Sequence, residues 1–216
     1  MITDERLVNY IHSLEPDRSD LLETIRAEAL AAEIPIIRDE TAALLKCFMR
    51  MLRPKKILEI GAAVGYSALC MEEATDGQAE ILTVEIYPPR IEQATRNFER
   101  SPYRDRITLI PGDAGALLRQ LAEKNEQFDF LFMDAAKAQY IVWLPDILRL
   151  MPPGSVLLSD NILQDGSIIE SRYQVERRDR TIQTRMREYL YRLKHEAALE
   201  TAILPVGDGV SISVKK

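Results

Sequence analysis

The chain has 216 residues, of which 46% are hydrophobic and 29% charged, and its formal net charge is −6. This length suits one domain, the hydrophobic fraction excludes a disordered chain, and no apolar run reaches the roughly 20 residues of a membrane helix. The two cysteines exclude a disulfide framework and a cysteine-rich zinc site, and the acidic charge excludes a uniformly basic nucleic-acid-binding surface. We therefore expect a cytoplasmic globular enzyme without a membrane segment.

The first quarter of the chain differs in pattern from the rest. Residues 1–53 predict helices only, with apolar residues such as Leu7, Ile11 and Leu14 at helical spacing. From residue 54 onward, short apolar runs alternate with helix-length segments. The runs span residues 56–60, 80–84, 107–110, 128–133 and 155–159, and the helix-like segments lie near 66–75, 88–100, 114–124 and 138–151. This alternation predicts an α/β fold with a Rossmann-like, doubly wound sheet of parallel strands.

Two further apolar runs, 201–206 and 210–214, close the chain. Gly207-Asp208-Gly209 joins them and supplies the turn chemistry of a hairpin, so we expect a final antiparallel strand. Because no repeat or linker interrupts the pattern, we predict a single domain over residues 1–216. It would consist of a helical N-terminal cap over 1–53 and a ligand-binding core over 54–216.

A glycine-containing loop follows the first predicted strand and opens a helix. It runs from Glu59 through Gly61 and Gly65 to Ser67. Glycines let a ligand approach the backbone, and a helix N-terminus offers N–H groups without partners. Glu85 ends the second predicted strand, where a carboxylate can accept hydrogen bonds from both hydroxyls of a ribose. The plainer alternative is a tight turn and a solvated glutamate.

A third loop, Gly112-Asp113-Ala114, follows the third predicted strand. There, Asp113 could accept a hydrogen bond from an adenine amino group, or it could serve only as a helix N-cap. The three loops together indicate a nucleoside ligand. This combination resembles class I S-adenosylmethionine-dependent methyltransferases.

The motifs resemble one group of these enzymes more closely. Glu-Ile-Gly-x-x-x-Gly-Tyr-Ser at 59–67, followed by Asp134-x-x-Lys137 and Asp160-Asn161, looks like the metal-dependent O-methyltransferases of the catechol and caffeoyl-CoA type. The resemblance implies the class I methyltransferase fold and S-adenosylmethionine as cofactor. It also implies cofactor contacts from Ile37, Glu59, Gly61, Gly65, Tyr66, Ser67, Glu85, Asp113, Ala114 and Asp134.

Two carboxylates and an amide follow the fourth and fifth predicted strands. Asp134 follows the fourth strand, and Asp160 and Asn161 follow the fifth. Neighbouring parallel strands end at the same edge of a sheet, so we expect these side chains to lie together. Such hard oxygen ligands suit Mg²⁺ better than zinc. In the resembled group these positions bind the metal, although each Asp alone could be a cap or strand-end residue.

Lys137 lies one helical turn beyond Asp134. A surface lysine is the plain interpretation. Beside a divalent cation, however, the charged ammonium is disfavoured, and a neutral amine can accept a proton. The resembled group places its proton-abstracting lysine here, so the predicted catalytic residues are Lys137 and Asp134.

The segment 172–194 carries eight Lys or Arg residues against three acids, a local charge of +5. Its apolar residues predict an amphipathic helix, bordered by two rows of cations at seven-residue spacing. The rows are Arg178, Arg185 and Arg192, and Arg180, Arg187 and Lys194. One interpretation is a solvated helix face whose long side chains cover apolar surface. The other is a patch that contacts the phosphates of an RNA.

Nearly the whole chain, including Ile34-Pro-Ile-Ile37 and Pro205-Val-Gly-Asp-Gly209, is similar to bacterial tRNA 5-hydroxyuridine methyltransferases. This resemblance implies methylation of wobble 5-hydroxyuridine to 5-methoxyuridine, with the anticodon region bound through segment 172–194, and a homodimer. The hydroxyl of that base lies beside a carbonyl oxygen, much as in a catechol. Tyr140 or Trp143 could stack on the base, although core packing explains Trp143 equally well.

Other functions remain as alternatives. The nearest is methylation of a small catechol or a caffeoyl-CoA-like substrate. A nicotinamide dehydrogenase is disfavoured because the glycines are spaced Gly-x-x-x-Gly rather than Gly-x-Gly-x-x-Gly. A non-catalytic RNA-binding module is the other alternative, and it would bind tRNA even after Asp160→Ala and transfer no methyl group.

Overall fold

A computed structural model describes residues 4–171 and 173–216, and the chain follows the predicted alternation of elements. The helices are α1 (Glu5–His12), α2 (Asp20–Ala31), α3 (Asp39–Leu52), α4 (Tyr66–Ala74), α5 (Pro88–Glu99), α6 (Ala114–Glu123), α7 (Tyr140–Leu150) and α8 (Arg180–His195). The strands are β1 (Lys56–Ile60), β2 (Glu80–Glu85), β3 (Ile107–Pro111), β4 (Phe130–Met133), β5 (Val156–Ser159), β6 (Leu199–Leu204) and β7 (Val210–Lys215). Short 3-10 helices cover Arg104–Arg106, Lys137–Gln139 and Gln164–Ile169.

The chain divides into two compact units, which consist mainly of residues 6–114 and of residues 115–216. In the unit over 6–114, the strands lie in the order β3-β2-β1 and all pair in parallel. Helix α4 packs against α2 and α3, so the N-terminal helices share a core with the first strands. The helical residues 6–53 are therefore part of this unit, and no division falls between residues 53 and 54.

In the unit over 115–216, the strands lie in the order β4-β5-β7-β6. Strands β4 and β5 are parallel, whereas β7 is antiparallel to β5 on one side and to β6 on the other. The last strand therefore lies between β5 and β6. This placement brings the turn between β6 and β7 next to the segment that follows β5.

The fold class is the predicted one, α/β with mostly parallel strands, a final antiparallel strand and extra N-terminal helices. Strands β4 and β5 are fully buried, and their apolar runs lack the polar alternation of a half-exposed strand, as is typical of a parallel sheet covered on both faces. Strand β6 begins two residues earlier than predicted, at Leu199. No helix within residues 4–171 and 173–216 is long and apolar enough to cross a membrane.

Candidate active site

The glycine loop between β1 and α4 has a backbone that requires its glycines. Gly61 has a φ of 100° and Gly65 a φ of 82°, both in the left-handed region. Gly65 caps the N-terminus of α4, and a Cβ atom there would lie 2.5 Å from the Phe98 ring. The backbone N–H groups of Gly61 and Ala62 both donate to the Val84 carbonyl of β2. The loop is thus fixed between β1, β2 and α5, and the first turn of α4 retains N–H groups without intrahelical acceptors.

Glu59 lies beneath this loop and is fully buried. The hydroxyls of Ser67 and Thr83 donate to its two carboxylate oxygens, at 2.5 Å each. The Glu59 side chain therefore offers no surface to a cofactor in this conformation, and its cofactor contact stays a prediction. Its carboxylate supports the loop from within the protein, and Ser67 uses its hydroxyl for the same purpose.

Glu85 connects the glycine loop to the turn after β2. Its carboxylate accepts hydrogen bonds from the backbone N–H of Ala63 at 2.9 Å, of Ile86 at 2.8 Å and of Tyr87 at 2.9 Å. A carboxylate has about four acceptor positions, so about one remains for a ribose hydroxyl in this conformation. For Glu85 to accept hydrogen bonds from both ribose hydroxyls, as predicted, one of the three N–H groups would have to share its acceptor position with a hydroxyl or give it up.

The loop after β3 lies beside this turn. Gly112 donates its backbone N–H to the Glu85 carbonyl at 2.9 Å, which joins the ends of β2 and β3. Asp113 is exposed, and Ala114 begins α6. The three predicted nucleoside loops therefore come together at the carboxyl ends of β1, β2 and β3, where parallel sheets bind ligands.

Two further predicted cofactor residues are buried. Ile37 is 5% exposed and Tyr66 is 2% exposed. Burial raises the pKa of the Tyr66 phenol well above its ordinary value, so the hydroxyl stays neutral. In this conformation neither side chain offers a surface to a ligand, which leaves their backbone groups for that role.

Asp134, Asp160 and Asn161 lie at the ends of adjacent strands. β4 and β5 pair in parallel with Met133 opposite Ser159, and the Asp160 N–H donates to the Met133 carbonyl at 2.9 Å. The structure therefore brings the predicted metal-binding residues together at one edge of the sheet. The prediction from parallel-strand geometry is confirmed for this placement.

The two carboxylates are electrostatically strained. Burial, reinforced by the negative charge of Asp134, raises the pKa of Asp160 to about 7. Burial also raises the pKa of Asp134, although the Lys137 ammonium acts in the opposite direction. Within residues 4–171 and 173–216, no three His, Cys, Asp or Glu residues form a metal-binding cluster. A cation here would depend on two carboxylates and an amide oxygen, a donor set that fits Mg²⁺.

Asn161 is held at its backbone and at its side chain. Its φ is 57°, and its backbone N–H donates to Oδ1 of Asp160 at 2.8 Å. Its side-chain Nδ2 donates to Oδ2 of Asp208 at 3.0 Å. The sequence pattern indicates only a turn position for Asp208. This contact could have been predicted only from an acidic residue at the tip of a hairpin whose last strand pairs with β5.

Tyr140 ties together the ends of β4 and β5. Its fully buried hydroxyl accepts from the Ala135 N–H at 3.0 Å and lies 3.2 Å and 3.3 Å from the carbonyls of Met133 and Asp160. Trp143 is also buried, at 8% exposure. The core-packing interpretation of Trp143 is therefore confirmed. Tyr140 is also a core residue, so neither ring offers an exposed face for stacking on a base in this conformation.

Lys137 begins the short 3-10 helix between Asp134 and α7 and is partly exposed. The next residue along, Ala138, is fastened to α8, because Arg185 donates to its carbonyl at 3.2 Å. Lys137 is near enough to lower the pKa of Asp134 by its charge. The predicted base therefore lies beside the predicted metal-binding carboxylates.

The cations of segment 172–194 are largely engaged within the protein. Arg172 lies outside the described residues. Four cations donate to backbone carbonyls: Arg180 to Val175, Arg185 to Ala138, Arg187 to Ile168 and Glu170, and Lys194 to Thr201. Arg178 pairs with Glu176 and Asp179, and Arg192 pairs with Glu196. These bonds attach the helix to neighbouring backbone, a role that neither interpretation predicted, and they leave the positive charges of the side chains in place.

Comparison with known proteins gives a consistent result. A family model described as O-methyltransferase matches residues 12–216. A catechol O-methyltransferase from Niastella koreensis is 28% identical over 169 residues, covering 77% of this chain and 76% of that protein. Caffeoyl-CoA O-methyltransferase 1 from Eucalyptus globulus is 28% identical over 176 residues, covering 78% of this chain and 70% of that protein.

Solved structures are similar over nearly the whole chain. An O-methyltransferase from Bacillus cereus in complex with SAH has a TM-score of 0.86 at 25% identity and covers 100% of both chains. A SAH-bound methyltransferase from Podospora anserina has a TM-score of 0.85 at 27% identity, covering 98% of this chain and 94% of that one. The fold is therefore that of the class I methyltransferases.

Proposed function

The chain belongs to the O-methyltransferase family and depends on S-adenosylmethionine, and from this premise we propose that its acceptor is a catechol, either free or within a caffeoyl-CoA-like substrate. The observation that carries the proposal is the pair of carboxylates at the ends of β4 and β5, where buried Asp160 and half-buried Asp134 repel each other beside Asn161. Oxygen donors of this kind would hold a divalent cation, and the charge of that cation would favour ionisation of an acceptor hydroxyl. The names of the similar proteins support the same substrate class.

The proposed cofactor site is formed by the three loops at the ends of β1, β2 and β3. The first turn of α4 would supply backbone N–H groups near Gly65 and Ser67. Glu85 would accept a hydrogen bond from the ribose, and Asp113 would accept one from the adenine amino group. Hydrogen bonds from Ser67 and Thr83 to buried Glu59 fix the loop, so little conformational entropy would be lost when the cofactor binds.

Asp134, Asp160 and Asn161 would hold a divalent cation such as Mg²⁺. When bound, the cation supplies positive charge that makes an acceptor hydroxyl more acidic. A carboxylate must lose its proton to bind a cation. The pKa of Asp160 is about 7 and that of Asp134 is also raised, so protons compete with the cation near neutral pH. Cation binding should therefore release protons and weaken as the pH falls below 7.

Lys137 is the proposed proton acceptor. Its neutral amine would take the proton of the acceptor hydroxyl, which leaves an oxyanion as the nucleophile. The oxyanion then forms a bond to the methyl carbon of the cofactor as the carbon–sulfur bond breaks, and the electron pair returns to sulfur. The hydrogen bonds that Tyr140 forms with Ala135 and that Arg185 forms with Ala138 would hold the segment around Lys137 in position for the transfer.

The test offers S-adenosylmethionine and Mg²⁺ with three acceptors: a free catechol, caffeoyl-CoA, and tRNA that carries 5-hydroxyuridine. We expect methylated catechol or caffeoyl-CoA by mass spectrometry, and loss of this product when EDTA removes the metal. Turnover of neither small acceptor would contradict the proposal, and turnover unchanged by EDTA would contradict its metal-dependent part.

Wobble 5-hydroxyuridine of tRNA is the second candidate, supported by the charge of +5 on segment 172–194. Hydrogen bonding to internal carbonyls does not neutralise these cations, so they can still attract phosphates. Formation of 5-methoxyuridine in the tRNA arm, without turnover of either small acceptor, would favour this candidate over the first.

We also propose a cytoplasmic homodimer. Both cysteines are free, as a reducing compartment would keep them. Exposed apolar residues on and after α1, namely Leu7, Tyr10 and Leu14, support an interface at the N-terminal helices. Light scattering of the purified protein should give twice the mass of 24.6 kDa, and a monomeric mass would contradict the dimer.

A further inference from the structure

The tip of the β6–β7 hairpin lies against the candidate metal site. We propose that Asp208 is a positioning residue that fixes the side-chain amide of Asn161, so that its oxygen rather than its nitrogen is available to a cation. The inference rests on the proposed function, because it concerns the same metal site. The contact that carries it is the hydrogen bond from Nδ2 of Asn161 to Oδ2 of Asp208, at 3.0 Å.

A carboxamide has two ends of nearly equal size but opposite chemistry. Its oxygen can bind a hard cation, whereas its NH₂ group only donates hydrogen bonds. An ionised carboxylate only accepts hydrogen bonds, so the NH₂ end of Asn161 must face Asp208. The reverse orientation would place two acceptor oxygens against each other. Asp208 therefore determines which end of Asn161 is left for a ligand.

The hairpin tip is held in place independently of this side-chain contact. Ile162 donates its backbone N–H to the Gly209 carbonyl at 3.0 Å, and Leu163 donates to the Asp208 carbonyl at 2.9 Å. Gly209 has a φ of 90°, and a Cβ atom there would overlap the Leu163 side chain. The close approach therefore requires glycine, and it keeps Asp208 beside the residue that it orients.

Asn161 itself has little remaining freedom. Its left-handed φ of 57° is a conformation that asparagine tolerates better than most residues. Its backbone N–H is bonded to Oδ1 of Asp160 at 2.8 Å. With the backbone and the side-chain nitrogen both fixed, the only remaining polar atom of the side chain is its oxygen. Outer partners that orient a metal ligand in this way typically change metal affinity by about 10- to 100-fold.

The experiment measures the affinity of the metal alone, by isothermal titration of Mn²⁺ into the full-length protein without cofactor or acceptor. Asp208→Ala should weaken Mn²⁺ binding by about 10- to 100-fold. Asp208→Asn should retain most of the affinity, because its own amide oxygen can still accept from Asn161. Glu200→Ala is the matched control, since it removes an exposed carboxylate from β6 and should leave the affinity unchanged.

A reciprocal exchange provides an independent measurement if Asp208→Ala does not fold. Asn161→Asp alone places two carboxylates together and should weaken Mn²⁺ binding. In the double variant Asn161→Asp/Asp208→Asn the hydrogen bond is restored with its direction reversed, and the affinity should recover relative to Asn161→Asp.

The outcomes separate the two proposals. A wild-type protein that binds no Mn²⁺ would overturn the metal site and, with it, this inference. Wild-type binding with an unchanged Asp208→Ala affinity would overturn the positioning role alone. Equal losses in Asp208→Ala and Asp208→Asn would show that Asp208 acts by its charge, which also overturns the inference, as would a double variant without recovery.

Discussion

The two units of the chain provide different numbers of hydrogen-bond donors to the carboxylates near their strand ends. In residues 6–114, Glu59 receives hydrogen bonds from two hydroxyls and Glu85 from three backbone N–H groups. In residues 115–216, Asp160 has one backbone donor and faces the charge of Asp134. A buried charge without enough partners lowers stability. Glu59 and Glu85 therefore stabilise the backbone and side chains around them, whereas Asp134 and Asp160 lack such donors and are suited to bind a cation.

A raised pKa alone does not distinguish the two regions. Glu72 on α4 is fully buried, and burial raises its pKa to about 7, the same value as for Asp160. Glu72, however, has no second carboxylate opposing it and no place at the carboxyl edge of a strand. What makes Asp160 the better candidate is the combination of a neighbouring acid, an adjacent side-chain amide and a position at the end of β5.

The largest expected effect comes from one kind of substitution made in both regions. Asp160→Asn should lower methyl transfer by about a thousandfold by removing a ligand, yet it should stabilise the metal-free protein by removing a strained charge. Glu59→Gln should instead destabilise the protein by about 1–3 kcal/mol, because both oxygens of Glu59 accept hydrogen bonds. Initial rates and urea unfolding measure the two effects. Stability changes of the same sign would show that Glu59 and Asp160 do not differ in this way.

Glu72 provides the next effect, through the pH dependence of stability. Its folded pKa of about 7 exceeds the ordinary value of 4.5, so the folded state holds the proton longer than the unfolded state. Protonated Glu72 therefore adds about 3 kcal/mol to the unfolding free energy below pH 4.5, and this contribution is lost as the pH rises through 7. Glu72→Gln should remove this slope from the unfolding free energy, measured with Mg²⁺ present so that Asp160 does not contribute. A slope equal to wild type would contradict the burial argument.

Lys137→Met should lower the methylation rate by about a hundredfold at neutral pH, because no other side chain is proposed to take the acceptor proton. The deficit should shrink as the pH rises, since more of the acceptor hydroxyl ionises without help. A pH–rate profile measures this. Lys124→Met, at the exposed position that follows α6, is the control and should match wild type. A deficit that does not change with pH would show that Lys137 has only a structural role.

The smallest effect is expected from alanine substitutions at two glycines that have similar φ angles. Gly65 has a φ of 82° and Gly154 a φ of 86°, but of these two only Gly65 lacks room for a Cβ atom, because of Phe98. Gly154→Ala should cost about 1 kcal/mol of stability from backbone strain, and Gly65→Ala about 2 kcal/mol more from the clash. Urea unfolding measures both. Equal costs would show that the loop adapts, and SAH binding should weaken only in Gly65→Ala.

The order of the strands and helices along the chain, and most of their bounds, followed from the sequence, because alternating runs of apolar residues and helix-length segments are local patterns. The loops at the strand ends also followed, since parallel strands present their carboxyl ends at one edge. The same geometry was enough to predict that Asp134 and Asp160 lie together.

The fold class and the candidate residues at the strand ends of each unit thus followed from local patterns. Three contacts did not: the hydrogen bonds of Glu59 within its loop, of Arg185 to the segment behind Lys137, and of Asn161 to Asp208. Arg185 bonds to a residue 47 positions away, and so does Asn161. No local pattern records such pairs, because packing decides which distant groups come within hydrogen-bond distance, and short-range spacing determines only the elements that carry them.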